Sequence, residues 1–140
     1  MSEINRQIKV EKFTTPEEGA SFFQEKIEGP GPEELLVRTQ YAPINPADLN
    51  VIEGKYGKLP QLPAIIGNEG SGQVIEVGES CEGFSVGDHV FYVNRNDCWQ
   101  DYVRVNSNQV IKVPESLSPQ LSSMLKVNPA TAWLLLNQIE

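Results

Sequence analysis

The sequence predicts a mainly β fold, a small β-barrel with short helices at its end, and three observations predict it. Short runs of β-branched, aliphatic and aromatic residues recur between turn-forming segments from Ile8 to Val113. Eight of the eleven glycines lie between Gly54 and Gly87 and none follows, so the tight turns concentrate in the middle of the chain. After Ser118 the strand pattern gives way to helical spacing. Runs of strands followed by a helical tail suit a barrel closed off by helices. At 140 residues the chain is one domain in size, long enough to bury roughly two thirds of its unfolded surface.

Each element has a local reason. Ile8-Lys9-Val10 alternates weakly, as a strand. Thr15-Pro16-Glu17-Glu18 offers a cap, a proline at the first helical position and two acids, which predicts a short helix through about Lys26. Gly29-Pro30-Gly31-Pro32 is a stiff turn. Glu34 to Tyr41 has the β-branched and aromatic content of a strand. Pro46 can open a helical turn with Asn45 as its cap. From Gly54 to Gly72 the glycines and prolines permit no long regular element. Gln73–Gly78, the segment entered from Gly87 through Val93, Trp99–Val105 and Gln109–Val113 are further strands. Ser118-Pro119 starts a helix, Asn128-Pro129 interrupts it, and Ala130–Asn137 resumes it. Leu134-Leu135-Leu136 on that second segment is helix surface suited to packing on something else.

Composition removes several function classes. Eleven basic against nineteen acidic residues gives a net charge of −8, the wrong sign for non-specific binding to nucleic acid or an anionic membrane. No apolar run approaches the roughly 18 residues that a spanning helix needs. The N-terminus lacks an apolar or Arg-rich targeting pattern, so a cytoplasmic location is expected. Cys81 and Cys98 form no CxxC, and His89 is the one histidine. That inventory builds neither a disulfide framework nor a multi-Cys metal site.

Several stretches, taken in order, carry a resemblance. They are Ala42-Pro43-Ile44-Asn45-Pro46-Ala47-Asp48, Gly54-Lys55-Tyr56-Gly57, Gly67-Asn68-Glu69-Gly70-Ser71-Gly72, Val77-Gly78, Val86-Gly87-Asp88-His89-Val90 and Val127-Asn128-Pro129-Ala130-Thr131-Ala132. With these the chain resembles the N-terminal half of the medium-chain dehydrogenase/reductase superfamily, over about Glu33 to Asn137. Its likeness runs first to trans-2-enoyl thioester reductases of the mitochondrial type, then to quinone oxidoreductases. The resemblance implies a GroES-like, partly open β-barrel over residues 1–115 and a helical segment, 116–140, leading toward a Rossmann domain. The Gly-rich fingerprint of that second half is not among these residues. The chain alone is therefore expected to be inactive and to lack the main NADPH site.

The resemblance also implies site residues. The superfamily's alcohol dehydrogenases place a Cys where Asn45 stands and a His where Asn68 stands. An amide is a poor zinc ligand beside either, so no metal is expected. Asn45 and Asn68 become candidates for the substrate or nicotinamide pocket, although Asn45 is equally a cap before Pro46 and Asn68 can satisfy loop backbone groups. Asp48 and Glu69 look like supports for them. Tyr56 takes the position of the enoyl reductases' proton donor. Conjugate reduction leaves an enolate whose α-carbon needs a proton, and a phenol is a protonated donor at neutral pH. Asn128 and Thr131 match a cofactor-contacting segment, though an Asn before Pro is also an ordinary helix break. The implied reaction is NADPH-dependent reduction of an acyl thioester on CoA or acyl carrier protein, as in fatty-acid synthesis, by a homodimeric enzyme. A zinc-free quinone oxidoreductase and a non-catalytic GroES-like interaction module are the alternatives. His89, Cys81, Cys98, Trp99 and Tyr102 read as structural.

Overall fold

The computed structural model describes residues 4–94 and 97–138. Strands β1 (Ile4–Val10), β2 (Ala20–Lys26) and β4 (Ala64–Ile65) form a three-stranded sheet in the order β2-β1-β4. Strands β3 (Glu34–Tyr41), β5 (Ser71–Val77), β6 (His89–Tyr92), β7 (Tyr102–Asn106) and β8 (Val110–Lys112) form a second sheet in the order β7-β3-β5-β6-β8. All described pairings are antiparallel. Short helices complete the fold: α1 (Pro16–Gly19), α2 (Pro46–Ile52), α3 (Pro119–Ser122) and α4 (Asn128–Asn137). The chain is mainly β, with open sheets and short helices, as the sequence predicts.

One expected element is corrected. The helix opened by Thr15-Pro16 lasts a single turn, and Ala20–Lys26 is a strand paired along its whole length with β1, Ala20 opposite Val10 and Lys26 opposite Ile4. Local signals do start a helix there. Gly19 ends it, packed so tightly that an added Cβ would lie 2.6 Å from Ile52 Cγ2. On its other side β1 pairs with only two residues of β4, so Ala20–Lys26 supplies most of its backbone partners.

Strand β7 also starts later than expected, at Tyr102. Cys98–Asp101 leaves the second sheet to join the two. Ile8 N–H donates to Trp99 O at 2.9 Å, Trp99 N–H to Ile66 O at 2.8 Å, and Asp101 N–H to Arg6 O at 2.9 Å. Gln7 and Gln100 form an isolated bridge. This strap closes one side of the barrel.

The main core lies between the faces of the second sheet. Leu35, Val37, Val74, Val90, Tyr92, Val103 and Val105 are fully buried there. The buried Tyr92 hydroxyl shares a 3.1 Å hydrogen bond with Thr39 Oγ1, so its polar end is matched. A second cluster of Val10, Ile52 and Ile66, with Trp99 against it, fixes α2 on the small sheet. Cys98 is buried, Cys81 half-buried, and both are free thiols. Helix α3 is pinned to the barrel: Ser71 Oγ donates to Pro119 O at 2.8 Å, and Gln120 Nε2 to Tyr41 Oη at 2.9 Å. Helix α4 leaves Trp133, Leu134, Leu135 and Leu136 exposed. No helix among the described residues is long and apolar enough to cross a membrane.

Candidate active site

The site is built where α2, the 67–70 loop and the start of α4 converge. Asn45 is extended and Pro46 opens α2, so the helix begins with an Asn-Pro-Ala-Asp turn. Asp48, 3% exposed, accepts from Asn45 N–H through Oδ2 and from Asn68 N–H through Oδ1, both at 2.8 Å. One buried carboxylate thus caps the helix and fastens the distant loop to it.

The loop depends on a glycine. Gly67 has a φ of 111°, and an added Cβ would lie 2.3 Å from Trp99 Cδ1. Only glycine reaches this conformation that close to a ring. The next residues therefore turn toward the site. Glu69, 1% exposed, accepts from Asn45 Nδ2 through Oε1 and from Val127 N–H through Oε2, both at 3.0 Å. Lys126 Nζ donates to Asn68 O at 2.6 Å and to Asn68 Oδ1 at 2.9 Å. Lys126 is held below the ordinary lysine value of 10.5. Burial causes this, and Cys98, Glu69, Asp48 and Asp97 partly offset it.

These contacts shape an open cleft of about 450 Å³, lined by Asn45, Ala47, Tyr56, Asn68, Asn128 and Thr131 among others. All five residues singled out from the sequence, Asn45, Tyr56, Asn68, Asn128 and Thr131, meet there from four separate segments. A smaller hollow of about 210 Å³, walled by Val51, Leu59, Pro60 and Ile66, adjoins it. Ala47, Tyr56 and Asn68 line both spaces. Tyr56 is 48% exposed, on the loop that leaves α2 through Gly54 at a φ of 71°. Asn128 and Thr131 are exposed on the first turn of α4.

Lys126 escaped the sequence reading. Its signal was present but faint: it is the only basic residue after Lys112, in a tail otherwise apolar or uncharged around it. Asp48 and Glu69 hold their neighbours, as their positions suggested.

The alcohol dehydrogenase GroES-like domain model matches residues 31–115. The chain belongs to that family. Within the GroES-like domain, the matched span carries α2, the Tyr56 loop and the 67–70 loop, while Lys126, Asn128 and Thr131 follow it. The chain is 44% identical over 108 residues to the mitochondrial enoyl-[acyl-carrier-protein] reductase of Rattus norvegicus, covering 76% of this chain and 29% of that protein. Among solved structures it is similar to the ETR1P/NADP/crotonyl-CoA complex, with a TM-score of 0.89, 25% identity, and coverage of 99% of this chain and 44% of that one. A putative NADPH:quinone reductase from Bacillus thuringiensis gives a TM-score of 0.88 and 31% identity, covering 98% and 41%. The chain thus spans under a third of the rat protein and under half of each solved chain. These likenesses set it among the medium-chain dehydrogenases/reductases, beside enoyl reductases and quinone oxidoreductases.

The Asn45–Asn68 pair does not fit a zinc ion. Asn45 turns its NH2 to Glu69, and Asn68 Oδ1 is occupied by an ammonium that would repel a second cation. Among the described residues no group of three or more His, Cys, Asp and Glu could hold a metal. The nicotinamide end of a cofactor fits better. The cleft is open and is lined by Asn128 and Thr131, an amide and a hydroxyl. No Gly-rich phosphate loop follows Gly87, so these residues hold at most that end of the dinucleotide.

Proposed function

We propose that this domain is the catalytic half of a zinc-free, NADPH-dependent 2-enoyl thioester reductase whose main cofactor site lies outside these residues. The observation that carries this reading is the cleft itself, which gathers Asn45, Tyr56, Asn68, Asn128 and Thr131 around one space. The identity with enoyl reductases supports it further. When bound, NADPH supplies the hydride that adds to the substrate's β-carbon. The chain's own residues handle the rest. Asn128 and Thr131 orient the nicotinamide end. Tyr56, standing between the cleft and the apolar hollow, gives a proton to the α-carbon of the enolate, directly or through water. Its exposure on a glycine-flanked loop lets it be reprotonated from solvent.

A quinone oxidoreductase is the second reading, favoured by the likeness to the Bacillus thuringiensis structure. The two are separated by assaying the full-length protein with NADPH on crotonyl-CoA and on a benzoquinone. Crotonyl-CoA is the expected substrate, with deuterium from labelled NADPH at the β-carbon and solvent deuterium at the α-carbon. Turnover of the quinone alone would reverse the choice.

A further inference from the structure

We propose that Lys126 is a positioning residue. It fixes the Asn68 carboxamide with Oδ1 toward the ammonium and the NH2 toward the cleft, where that NH2 donates to the carbonyl oxygen of a bound α,β-unsaturated carbonyl substrate. The inference rests on the reductase reading and adds a residue and a polarity to it.

Donors and acceptors decide the orientation of the amide. An ammonium has three donors and no acceptor. The group it touches at 2.9 Å must therefore be the amide oxygen, which removes the usual ambiguity between the two ends of an asparagine. The same ammonium holds the Asn68 backbone oxygen at 2.6 Å, and Asp48 holds the Asn68 backbone N–H at 2.8 Å. Three of the residue's four polar groups are thus fixed from two sides. The fourth, the NH2, has no acceptor among the described residues, and Asn68 lines both the cleft and the hollow next to Tyr56. A fixed donor facing a substrate cleft suits an acceptor oxygen that gains negative charge. Hydride addition to the β-carbon of an enoyl thioester, or to a quinone, develops such charge on the carbonyl oxygen. Lys126 is itself held in place by its neighbour, because Val127 N–H is bonded to the buried Glu69.

The test has two measurements. In the 15N-labelled chain without ligand, Lys126→Met should shift the Asn68 side-chain NH2 signals and leave those of Asn45, held by Glu69, in place. Unchanged Asn68 signals would overturn the positioning role. In the full-length reductase acting on crotonyl-CoA, Lys126→Met should lower kcat by about 10²-fold, the scale of a misplaced group, with KM for NADPH unchanged. Lys126→Arg, also a pure donor, should restore most of it. In an Asn68→Ala background, Lys126→Met should have no further effect. An equal loss in that background would show that the lysine acts by another route and would overturn the proposal. A wild-type protein inert toward both crotonyl-CoA and quinone would refute the functional reading and the carbonyl acceptor with it. The ligand-free amide signals would still decide whether Lys126 positions Asn68.

Discussion

Replacing Tyr56 by phenylalanine removes one hydroxyl and nothing else. The side chain is 48% exposed, and the hydroxyl makes no hydrogen bond among the described residues. No buried group loses a partner and no cavity opens, so folding stability should change by less than about 0.5 kcal/mol. The chemical step should lose much more. A positioned general acid contributes about 10²–10⁴-fold, or about 3–5 kcal/mol of barrier. NADPH affinity should barely move, because Asn128 and Thr131, not Tyr56, face the nicotinamide in this assignment. The assay is single-turnover reduction of crotonyl-CoA by the full-length enzyme, run beside NADPH titration and thermal melting for both proteins. A phenylalanine variant as fast as wild type, with chemistry limiting the rate, would make Tyr56 part of the pocket wall and refute the proton-donor argument. A variant that melts far lower would refute the premise that its hydroxyl is unpartnered.

Gly67→Ala should cost about 2–4 kcal/mol in equilibrium denaturation, because it combines backbone strain with a Cβ driven into Trp99; a loss under about 1 kcal/mol would mean the loop can move aside. Asp88 is pushed up by burial but more than compensated by Lys112 at 2.7 Å and the Ser85 N–H, so its folded value lies below the ordinary 3.8. Its stabilisation is present above pH 4 and is lost as pH falls through the folded value. Asp88→Asn should therefore be less stable than wild type at pH 6, with the gap closing in acid, as read by denaturation at several pH values. Elemental analysis of untagged protein should find no zinc, and near-stoichiometric zinc would sink the zinc-free assignment. Calorimetry of the 140-residue chain with NADPH should show no binding at micromolar concentrations, since these residues hold no phosphate loop.

What could be read from the sequence follows from the range of each interaction. Strand β3 could be found because its signals are local: Gly29-Pro30-Gly31-Pro32 stops the chain before it, Pro43 after it, and Leu35, Leu36, Val37, Thr39 and Tyr41 supply aliphatic, β-branched and aromatic residues between. Strand β2 could not. Thr15-Pro16-Glu17-Glu18 does start a helix, and its end is imposed by Ile52 and by the free edge of β1, both remote in sequence. Propensity lost to pairing there. The candidate site divides the same way. The family resemblance led to Asn45, Tyr56, Asn68, Asn128 and Thr131, and the fold brings them to one cleft. Which way each amide points was invisible, because the deciding partner of Asn68 lies 58 residues away.

That distance bears on how the site holds together. Asp48 and Glu69 are almost completely buried, and an isolated buried carboxylate is costly. Each is satisfied in part by groups from another segment: Asp48 by the Asn68 N–H besides the Asn45 N–H of its own turn, Glu69 by Asn45 and the Val127 N–H. Lys126 places the compensating positive charge among them. Loss of any one member leaves a buried group unmatched on a different segment, so substitutions here should couple strongly rather than add. The coupling also joins geometry to chemistry. The Glu69–Val127 bond seats the start of α4 while the neighbouring Lys126 aims the Asn68 amide, so a displaced α4 would disturb the proposed cofactor edge and the proposed carbonyl donor together.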